Sequence, residues 1–283
     1  MVGSSAQHID RKRICFILSS YPCVQKSPQN NSKLVCCFEY VIHLLSYLYD
    51  LGIEMDVILS SGFLAFARHI GVFDAIDKCD IEVDAICGTS SGSMVGALYA
   101  AGYTPDQIAE ELHIPRPITM VNFSWLPWKG LFSMRSVQKK LSDLLPKNIE
   151  DLPKPMGIGL CTMDKKKHLV TKGPLVDAII ASCAVPYLFV PHKVDGDFYQ
   201  DGGFADRIMA EDWRDFRKNQ KGVSQPTMIH IVDRSNGAAE ERGTKDAVVI
   251  RTPRSFAKLW DIGDFEGQRS EAKVLALNEL KKI

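Results

Sequence analysis

One serine framed by small residues is the feature of this sequence that most directly suggests chemistry. Residues 85–102 read AICGTSSGSMVGALYAAG, which sets Ser90 between Gly88 and Gly92, after an apolar run and before a helical pattern. In a strand–turn–helix unit, G-x-S-x-G is typical of a nucleophile elbow, whose turn is so sharp that only small neighbours fit. The turn lifts the hydroxyl clear of the sheet, and the first N–H groups of the helix can stabilise an oxyanion.

Two other interpretations of the same glycines are an ordinary tight turn and a loop that cradles a phosphate. A phosphate loop of the Walker type needs a lysine directly after its glycines, and none follows GTSSGS. G-x-G-x-x-G is also absent from the sequence. The position of Ser90 between a strand and a helix therefore favours a nucleophile.

A nucleophilic serine needs a base, and the chain offers histidines and one carboxylate. The histidines after Ser90 are His113, His168, His192 and His230. The first two lie in polar loops, the third in a hairpin and the last in an apolar strand, so none has the context of a Ser-His-Asp triad. Asp201 ends a short strand, and the two glycines after it let the backbone approach another loop. A plain D-G-G turn is the alternative for this segment.

Three segments, in this order and spacing, resemble the patatin-like phospholipase family: GTSSGSMVGALYAAG, PLVDAIIASCAVPYLFVP and VDGDFYQDGGFAD. In that family the serine of G-x-S-x-G and the aspartate of D-G-[GA] form a catalytic pair without a histidine. The resemblance covers residues 55–210 well and implies Ser90 as nucleophile and Asp201 as base. The motif glycines that it implies are Gly88, Gly92, Gly202 and Gly203.

The resemblance implies a lipid acyl hydrolase of the phospholipase A type, which cleaves fatty-acyl esters of lipids or phospholipids through an acyl-serine and needs no cofactor or metal. We expect Asp201 to be largely buried, because a well-solvated carboxylate is a weak base toward an alcohol. Two other functions stay open. One is an acyltransferase or thioesterase that uses the same Ser-Asp dyad, and the other is a noncatalytic lipid-binding relative.

The segment expected to complete the oxyanion hole departs from the family pattern. Family members usually carry G-G-G-x-R-G, whereas residues 61–66 read SGFLAF, with Ala65 at the arginine position. HIGV at 69–72 agrees with the family again. Because backbone amides build the hole, we expect the N–H groups of Gly62, Phe63 and Ser91 to form it, and a lost donor would cost roughly 3 kcal/mol. Either the loop keeps its shape with bulkier residues, or the protein is a slow or noncatalytic relative.

The elements around these residues alternate between strand and helix patterns. MDVILS, VDAIC, MGIGLCTM and TMIHIVD are strand-like, and helical patterns follow Gly62, Ser90, Thr104, Ser133 and Pro174. Thr104 and Gln107 predict a capping box, Gly102 is expected to end the helix before it, and Asp195-Gly196 predicts a hairpin turn. This alternation predicts an α/β, three-layer sandwich with a mainly parallel central sheet and helices on both faces, as in patatin-like proteins. We expect a catalytic domain over 55–283 and a partly helical N-terminal extension over 1–54. Charged residues within 34–53 argue against a membrane span there.

Composition narrows the partners and the compartment. The 34 basic and 34 acidic residues balance, which argues against a nucleic-acid partner. Eight cysteines without a CxxC pair indicate reduced thiols and predict a cytoplasmic protein, peripheral at membranes. DKKKH at 164–168 is expected to be a solvated turn.

Aromatic residues are concentrated at positions 118–132. They are Phe123, Trp125, Trp128 and Phe132. Aromatics beside a lysine suit a lid or a contact with a membrane interface, and a core position is the alternative. Two interpretations also remain for Phe63, Leu64 and Phe66. They either line a groove for an acyl chain or fill the layer between helix and sheet.

Overall fold

A computed structural model describes residues 54–125, 128–234 and 242–282. The predicted extension over 1–54 lies outside the described residues except for its last residue. Within the described ranges, no helix combines the length and the apolarity that crossing a bilayer requires.

Within the part of the chain that the structure describes, the central sheet has eight strands. The strands in these residues are β1 Glu54–Leu59, β2 Glu82–Thr89, β3 Asn122–Phe123, β4 Phe132–Ser133, β5 Met156–Thr162, β6 Lys167–Val170, β7 His192–Val194, β8 Asp197–Asp201, β9 Thr227–Val232 and β10 Val248–Thr252. The sheet runs β10-β9-β1-β2-β5-β8-β7, with β6 also paired to β5, while β3 and β4 form a separate pair. From β10 to β5 every pairing is parallel, and β6, β8 and β7 add antiparallel pairings at one side.

Helices cover both faces of this sheet. They are α1 Phe66–Lys78, α2 Ser91–Ala100, α3 Pro105–Leu112, α4 Arg135–Leu144, α5 Leu175–Ser182, α6 Ala210–Lys221 and α7 Phe265–Leu280. Along β1, Val57 and Leu59 join the larger apolar core with α1, α2 and α7, whereas Ile58 packs on the other face with Trp213 of α6. Successive strand residues face opposite sides, so the last three residues of β1, Val57, Ile58 and Leu59, are all apolar because both faces of the sheet are covered there. The predicted α/β sandwich with a mainly parallel sheet is confirmed.

Several local predictions are also confirmed. The predicted capping box forms at the start of α3, where Gln107 N donates to Thr104 Oγ1 and Thr104 N donates to Gln107 Oε1. Gly102, with φ 97°, follows the end of α2. The strands β7 and β8 pair through Val194 and Asp197, on either side of the predicted hairpin turn.

Two local predictions are wrong. The helix predicted from Gly62 begins at Phe66, because residues 62–65 form a turn in which Ala65 N donates to Gly62 O. His168 lies in β6 and not in a loop, since residues 167–170 satisfy their backbone groups by antiparallel pairing with β5. The solvated turn predicted for DKKKH is thus partly a strand.

Candidate active site

Ser90 lies at the sharp turn between β2 and α2. Its backbone angles are φ 54° and ψ −123°, a conformation that costs an L-residue roughly 1–3 kcal/mol and persists only when its surroundings enforce it. Ser90 N donates to Ser182 Oγ at 2.8 Å, and Ser182 Oγ donates to Gly159 O at 2.7 Å. Ser93 Oγ donates to Ser90 O at 2.7 Å. Hydrogen bonds to α5 and, through Ser182, to β5 therefore hold the serine in the strained turn of an elbow.

Strand β5 brings Ser90 and Asp201 together across a sequence separation of 111 residues. In the sheet, Gly159 of β5 pairs with Thr89 of β2, and the next residue, Leu160, pairs with Asp201 of β8. Ser90 Oγ donates a hydrogen bond to Asp201 Oδ2 at 2.7 Å. A hydroxyl and a carboxylate in this contact are placed for proton transfer when the oxygen attacks an electrophile.

Asp201 is only 4% exposed, which confirms the expectation of a buried carboxylate. Burial raises the pKa of Asp201 from its ordinary value to about 6, although hydrogen bonds from Ser90 and Gly203 and the charge of Arg207 oppose the rise. Gly203 N donates to Asp201 Oδ1 at 2.8 Å, so each carboxylate oxygen has one donor. The group is therefore ionised at neutral pH and more basic than a solvated aspartate.

The glycines of the elbow lie where a side chain would collide with backbone. A Cβ atom on Gly88 would come within 2.5 Å of Gly92 O, and one on Gly92 within 2.6 Å of Leu59 O. Real Cβ atoms essentially never approach a neighbour below 3.0 Å. The small residues thus let α2 start directly against the ends of β1 and β2.

The two glycines after Asp201 have the same role on the other side of the site. A Cβ atom on Gly202 would come within 2.2 Å of Gly159 O, and one on Gly203 within 2.4 Å of Ser61 Oγ. These contacts bring the Asp201 segment against β5 and against the loop that follows β1.

The β1–α1 loop (residues 60–65) keeps a tight turn without the glycines of the family pattern. Ala65 N donates to Gly62 O at 3.2 Å, and Leu64 has φ 50°, in the left-handed region that favours glycine. Among the described residues, the N–H groups predicted for the oxyanion hole have no hydrogen-bond acceptor, namely those of Gly62, Phe63 and Ser91. The loop therefore retains a turn with bulkier residues, in which the amides of Gly62 and Phe63 have no acceptor, as is also the case for Ser91 at the start of α2.

Arg207 supports this loop from the segment that follows Asp201. Its Nη2 donates to Ser61 O at 2.7 Å and to Val232 O at 2.5 Å, and its Nε donates to Ser61 Oγ at 3.2 Å. Ser61 N donates in return to Arg207 O at 2.9 Å. The family pattern has an arginine at the position of Ala65, whereas here a buried guanidinium reaches the loop from residue 207.

Two buried histidines connect to the residue after Ser90, not to Ser90 itself. His69 Nε2 lies 3.2 Å from Ser91 Oγ, His69 Nδ1 lies 2.8 Å from His230 Nδ1, and His230 Nε2 lies 2.9 Å from Thr252 Oγ1. Burial lowers the pKa of His69 to about 3 and that of His230 well below its ordinary value. Both rings are therefore neutral at pH 7, and one proton is shared between the two Nδ1 atoms. His230 is buried in a strand, as predicted.

Ser90 is one of the residues that line an apolar pocket, whose volume is about 830 Å³ when its open mouth is included. Phe63, Leu64 and Phe66 line it, and Leu64 and Phe66 also pack against the larger apolar core, so these two residues fit both of the interpretations left open. Helix α4, the loop before it and residues 185–189 line the rest, and the polar pair Glu111 and Lys140 lies at its wall. A serine in the lining of an apolar pocket suits a substrate with a long hydrocarbon tail.

Most of the aromatic residues in 118–132 are not core residues. Phe123 is 84% exposed, Trp125 is 90% exposed and Trp128 is 76% exposed, while Phe132 is half-buried. The alternative of a core position is therefore wrong for the first three.

Three residues near the site escaped the sequence analysis: Ser182, His69 and Arg207. Ser182 stands in ASCAVP and His69 in HIGV, two segments that resemble the family, but their contacts depend on tertiary packing. Arg207 follows Asp201 by six residues. A charged residue so close in sequence to a carboxylate that is expected to be buried was the signal that could have identified it.

Comparison with known proteins places the chain in a family. A model of the patatin-like phospholipase family matches residues 57–212. Because this match covers more than half of the 283 residues, the chain belongs to the patatin-like phospholipase family.

Individual relatives match the same part of the chain. An uncharacterized NTE family protein of Mycobacterium tuberculosis is 31% identical over 157 residues, which cover 53% of this chain and 42% of that protein. A patatin-like phospholipase domain-containing protein of Caenorhabditis elegans is 27% identical over 173 residues, or 56% of this chain and 12% of that one. The chain therefore spans less than half the length of these relatives. VipD from Legionella pneumophila shares the fold, with a TM-score of 0.51, 11% identity and coverage of 81% of this chain and 66% of its own.

Proposed function

We propose that this protein is a lipid acyl hydrolase of the phospholipase A type that works through an acyl-serine on Ser90. The observation that carries the proposal is the 2.7 Å hydrogen bond to Asp201 Oδ2 from the hydroxyl of Ser90, a residue that lines an apolar pocket. Membership of the patatin-like phospholipase family agrees with a lipid substrate.

In the first half of the reaction, Asp201 accepts the hydroxyl proton as Ser90 Oγ attacks the ester carbonyl carbon. The carbonyl π electrons move to its oxygen, and the tetrahedral oxyanion collapses to expel the alcohol part of the lipid. Protonated Asp201 returns the proton to that leaving oxygen. The fatty-acyl group is then bonded to Ser90 Oγ, and a lysolipid or another alcohol departs.

In the second half, water takes the place of the alcohol. Asp201 accepts a proton from water as the water oxygen attacks the acyl carbon, and a tetrahedral oxyanion forms again. Collapse breaks the bond to Ser90 Oγ, which recovers the proton from Asp201, and the fatty acid leaves.

The amides of Gly62, Phe63 and Ser91 are the proposed donors to both oxyanions. Their N–H groups have no acceptor among the described residues, and Ser91 starts α2, whose dipole favours negative charge at this end. Such fixed donors act without reorganisation at the moment of reaction. The apolar pocket would hold the acyl chain, and the lipid head would stay toward solvent.

The experiment is labelling with a fluorophosphonate probe, which reacts only with an activated serine. The wild-type chain is expected to label, and Ser90→Ala is expected to abolish labelling and to lower hydrolysis of a short-chain ester by at least about a thousandfold. Ser142→Ala, an exposed helical serine bonded only to Gln138 O, serves as the control and should label normally. A folded wild type without labelling would contradict the proposal and support a noncatalytic lipid-binding protein.

The acyl acceptor is tested separately because the same dyad serves a hydrolase, an acyltransferase or a thioesterase. Products are measured from a phospholipid with and without an added lysolipid or alcohol, and from an acyl thioester. Free fatty acid as the main product in every mixture supports the hydrolase. Transfer of most acyl groups to the added alcohol would replace that assignment by a transferase.

A further inference from the structure

Among the described residues, the most exposed aromatic side chains stand together beside the proposed acyl pocket. We call this surface the aromatic rim, and it consists of Phe123, Trp125, Trp128, Leu131 and Tyr187. Each of them is more than half exposed. Large apolar side chains gathered in this way on a protein surface indicate a contact with another surface.

Backbone pairing holds the two parts of the rim side by side. Phe123 pairs with Phe132 in the β3–β4 hairpin, and Phe132 N donates to Leu188 O at 2.9 Å. Leu131 N donates to Tyr187 O at 3.2 Å. Tyr187 has φ 68°, a backbone conformation that is strained for a tyrosine, and its ring is 88% exposed. The exposed rings are thus presented by hydrogen-bonded backbone.

The rim is continuous with the mouth of the pocket. Val121 and Met134, at the two ends of the hairpin segment, line the pocket, and so does Phe189, two residues after Tyr187. A lipid that leaves a bilayer beneath the rim would therefore meet the pocket wall and Ser90 next.

The charge of this segment is one-sided although the whole chain is neutral. Between Glu111 and Asp143 there is no acidic residue, and there are five basic ones. Lys140 pairs with Glu111, whereas the other four are exposed: Arg116, Lys129, Arg135 and Lys139. Trp and Tyr prefer the interface between water and lipid, and basic side chains are attracted to anionic head groups.

We propose that the aromatic rim and the basic residues around it dock the protein on a bilayer that contains anionic phospholipid. This inference rests on the proposed function, because docking would deliver a lipid ester to Ser90. A lid over the pocket or a contact with a second copy of the chain would use the same exposed rings but would not require the basic residues.

Vesicle binding tests the docking without turnover. The chain carrying Ser90→Ala is mixed with vesicles of phosphatidylcholine alone or of phosphatidylcholine with phosphatidylserine, and bound protein is measured by co-sedimentation. We expect binding to the mixed vesicles that weakens in high salt. Adding Trp125→Ala and Trp128→Ala should lower the partition coefficient by about tenfold or more. Adding Phe198→Ala and Val223→Ala, which removes two exposed apolar side chains outside the rim, should leave it unchanged.

The charge contribution has its own pair of variants. Lys129→Glu with Arg135→Glu should weaken binding to the mixed vesicles by roughly tenfold or more and leave binding to neutral vesicles unchanged. Lys218→Glu is the control, because Lys218 is exposed on α6 and lies outside the rim. Its neighbour Arg217 binds Asp56 and Asp84 near the starts of β1 and β2, whereas Ser90 follows the end of β2. Quenching of tryptophan fluorescence by brominated lipid should occur in the parent and be lost with Trp125 and Trp128.

Several outcomes would overturn the docking. These are equal binding by the tryptophan variant and its parent, binding that ignores vesicle charge, and a dimer that depends on the two tryptophans without any vesicle binding. Fluorophosphonate labelling of the wild-type chain is measured alongside. Labelling without vesicle binding removes the docking and keeps the acyl-enzyme, whereas binding without labelling removes the acyl-enzyme and keeps the docking.

Discussion

The elbow at residues 88–92 and the β1–α1 loop lie at the ends of neighbouring strands, yet they meet the demands of the site differently. The elbow keeps both of its glycines, because Gly88 and Gly92 face backbone oxygens at distances that exclude a Cβ atom. The β1–α1 loop keeps only Gly62 of the glycines of the family pattern and forms its turn with Leu64 in a left-handed conformation.

The difference shows which kind of residue can be replaced. Where two backbones touch, no other residue can take the place of glycine, and the local pattern persists in the sequence. In the loop, the proposed work is done by backbone amides, so side chains can vary if another group holds the turn. Arg207 is that group here, with hydrogen bonds to Ser61 O and Ser61 Oγ.

The largest expected effect comes from the carboxylate. Asp201→Asn keeps the shape of the side chain but removes the base, so turnover of a short-chain ester should fall by about a thousandfold, within the range known for general bases. Steady-state kinetics measure the loss. The control is Asp177→Asn, whose carboxylate binds His192 and Gln138 instead of the serine, and it should keep most of the activity. Retention of activity by Asp201→Asn would place the base elsewhere.

The same substitution should stabilise the protein above pH 6. The pKa of Asp201 in the folded protein, about 6, exceeds the ordinary value near 3.8, so the folded state binds the proton more tightly than the unfolded state. The free energy of unfolding of the wild type therefore falls by about 3 kcal/mol as pH rises from about 4 to about 6.

Asn has no such charge. The gap in the free energy of unfolding between the variant and the wild type should therefore grow across that pH window and stay constant above it. The Asn amide can accept from Gly203 N through its oxygen and donate to Ser90 Oγ through its nitrogen, so this difference reports mainly the lost charge. Urea unfolding at acid and neutral pH measures it. A gap that does not change with pH would contradict the raised pKa.

The next effect concerns the guanidinium that supports the loop. Arg207→Gln should lower kcat by roughly ten- to a hundredfold, because a donor displaced by about 1 Å loses much of its contribution. The charge of Arg207 also lowers the pKa of Asp201. The acid limb of the kcat/KM profile should therefore move to higher pH in this variant.

Arg207→Lys separates the two roles of the arginine. It keeps the positive charge and loses the fork of hydrogen bonds, so kcat should fall while the acid limb stays close to its wild-type position. Arg269→Gln, which breaks an ion pair with Asp74 between α7 and α1, controls for lost stability alone. An unchanged kcat in both Arg207 variants would remove the supporting role.

The predictable part of the site is the part that local sterics dictate. Ser90 and Asp201 could be found because each stands beside glycines that the backbone needs within a few residues. The alternation of strand and helix patterns likewise indicated the sandwich, since β1, β2 and β9 each contain a run of residues that is mostly apolar on both faces. The contact between Ser90 and Asp201 was implied only by the resemblance to the patatin-like phospholipase family.

The unpredicted part depends on approach between distant segments. Arg207 contacts Ser61 only because the segment after β8 lies against the loop after β1. Ser182 contacts Ser90 only because α5 packs beside β5, close to the end of β2. Strand β6 was not predicted because Lys167 and His168, the first half of its four residues, are exposed, so its sequence has no apolar pattern. For Trp125 and Trp128 the sequence left a lid or membrane contact and a core position open, because hydrophobicity alone cannot distinguish a buried aromatic side chain from an exposed one.

The smallest effect tests the turn of the β1–α1 loop itself. Leu64 has φ 50°, and a β-branched residue tolerates that region less well than leucine. Leu64→Val should therefore lower stability by about 1 kcal/mol. If about half of that strain reaches the transition state, fluorophosphonate labelling slows roughly two- to threefold.

Leu64→Gly provides the opposite change at the same position. Glycine adopts the left-handed conformation freely, so labelling should stay near the wild-type rate. A small probe is needed, because Leu64 also lines the pocket and its loss would weaken binding of a long acyl chain. If valine and glycine gave the same labelling rate, the turn at Leu64 would not control the amides. The bulkier loop would then work by a geometry independent of this residue, and the contrast with the glycine-dependent elbow would be still sharper.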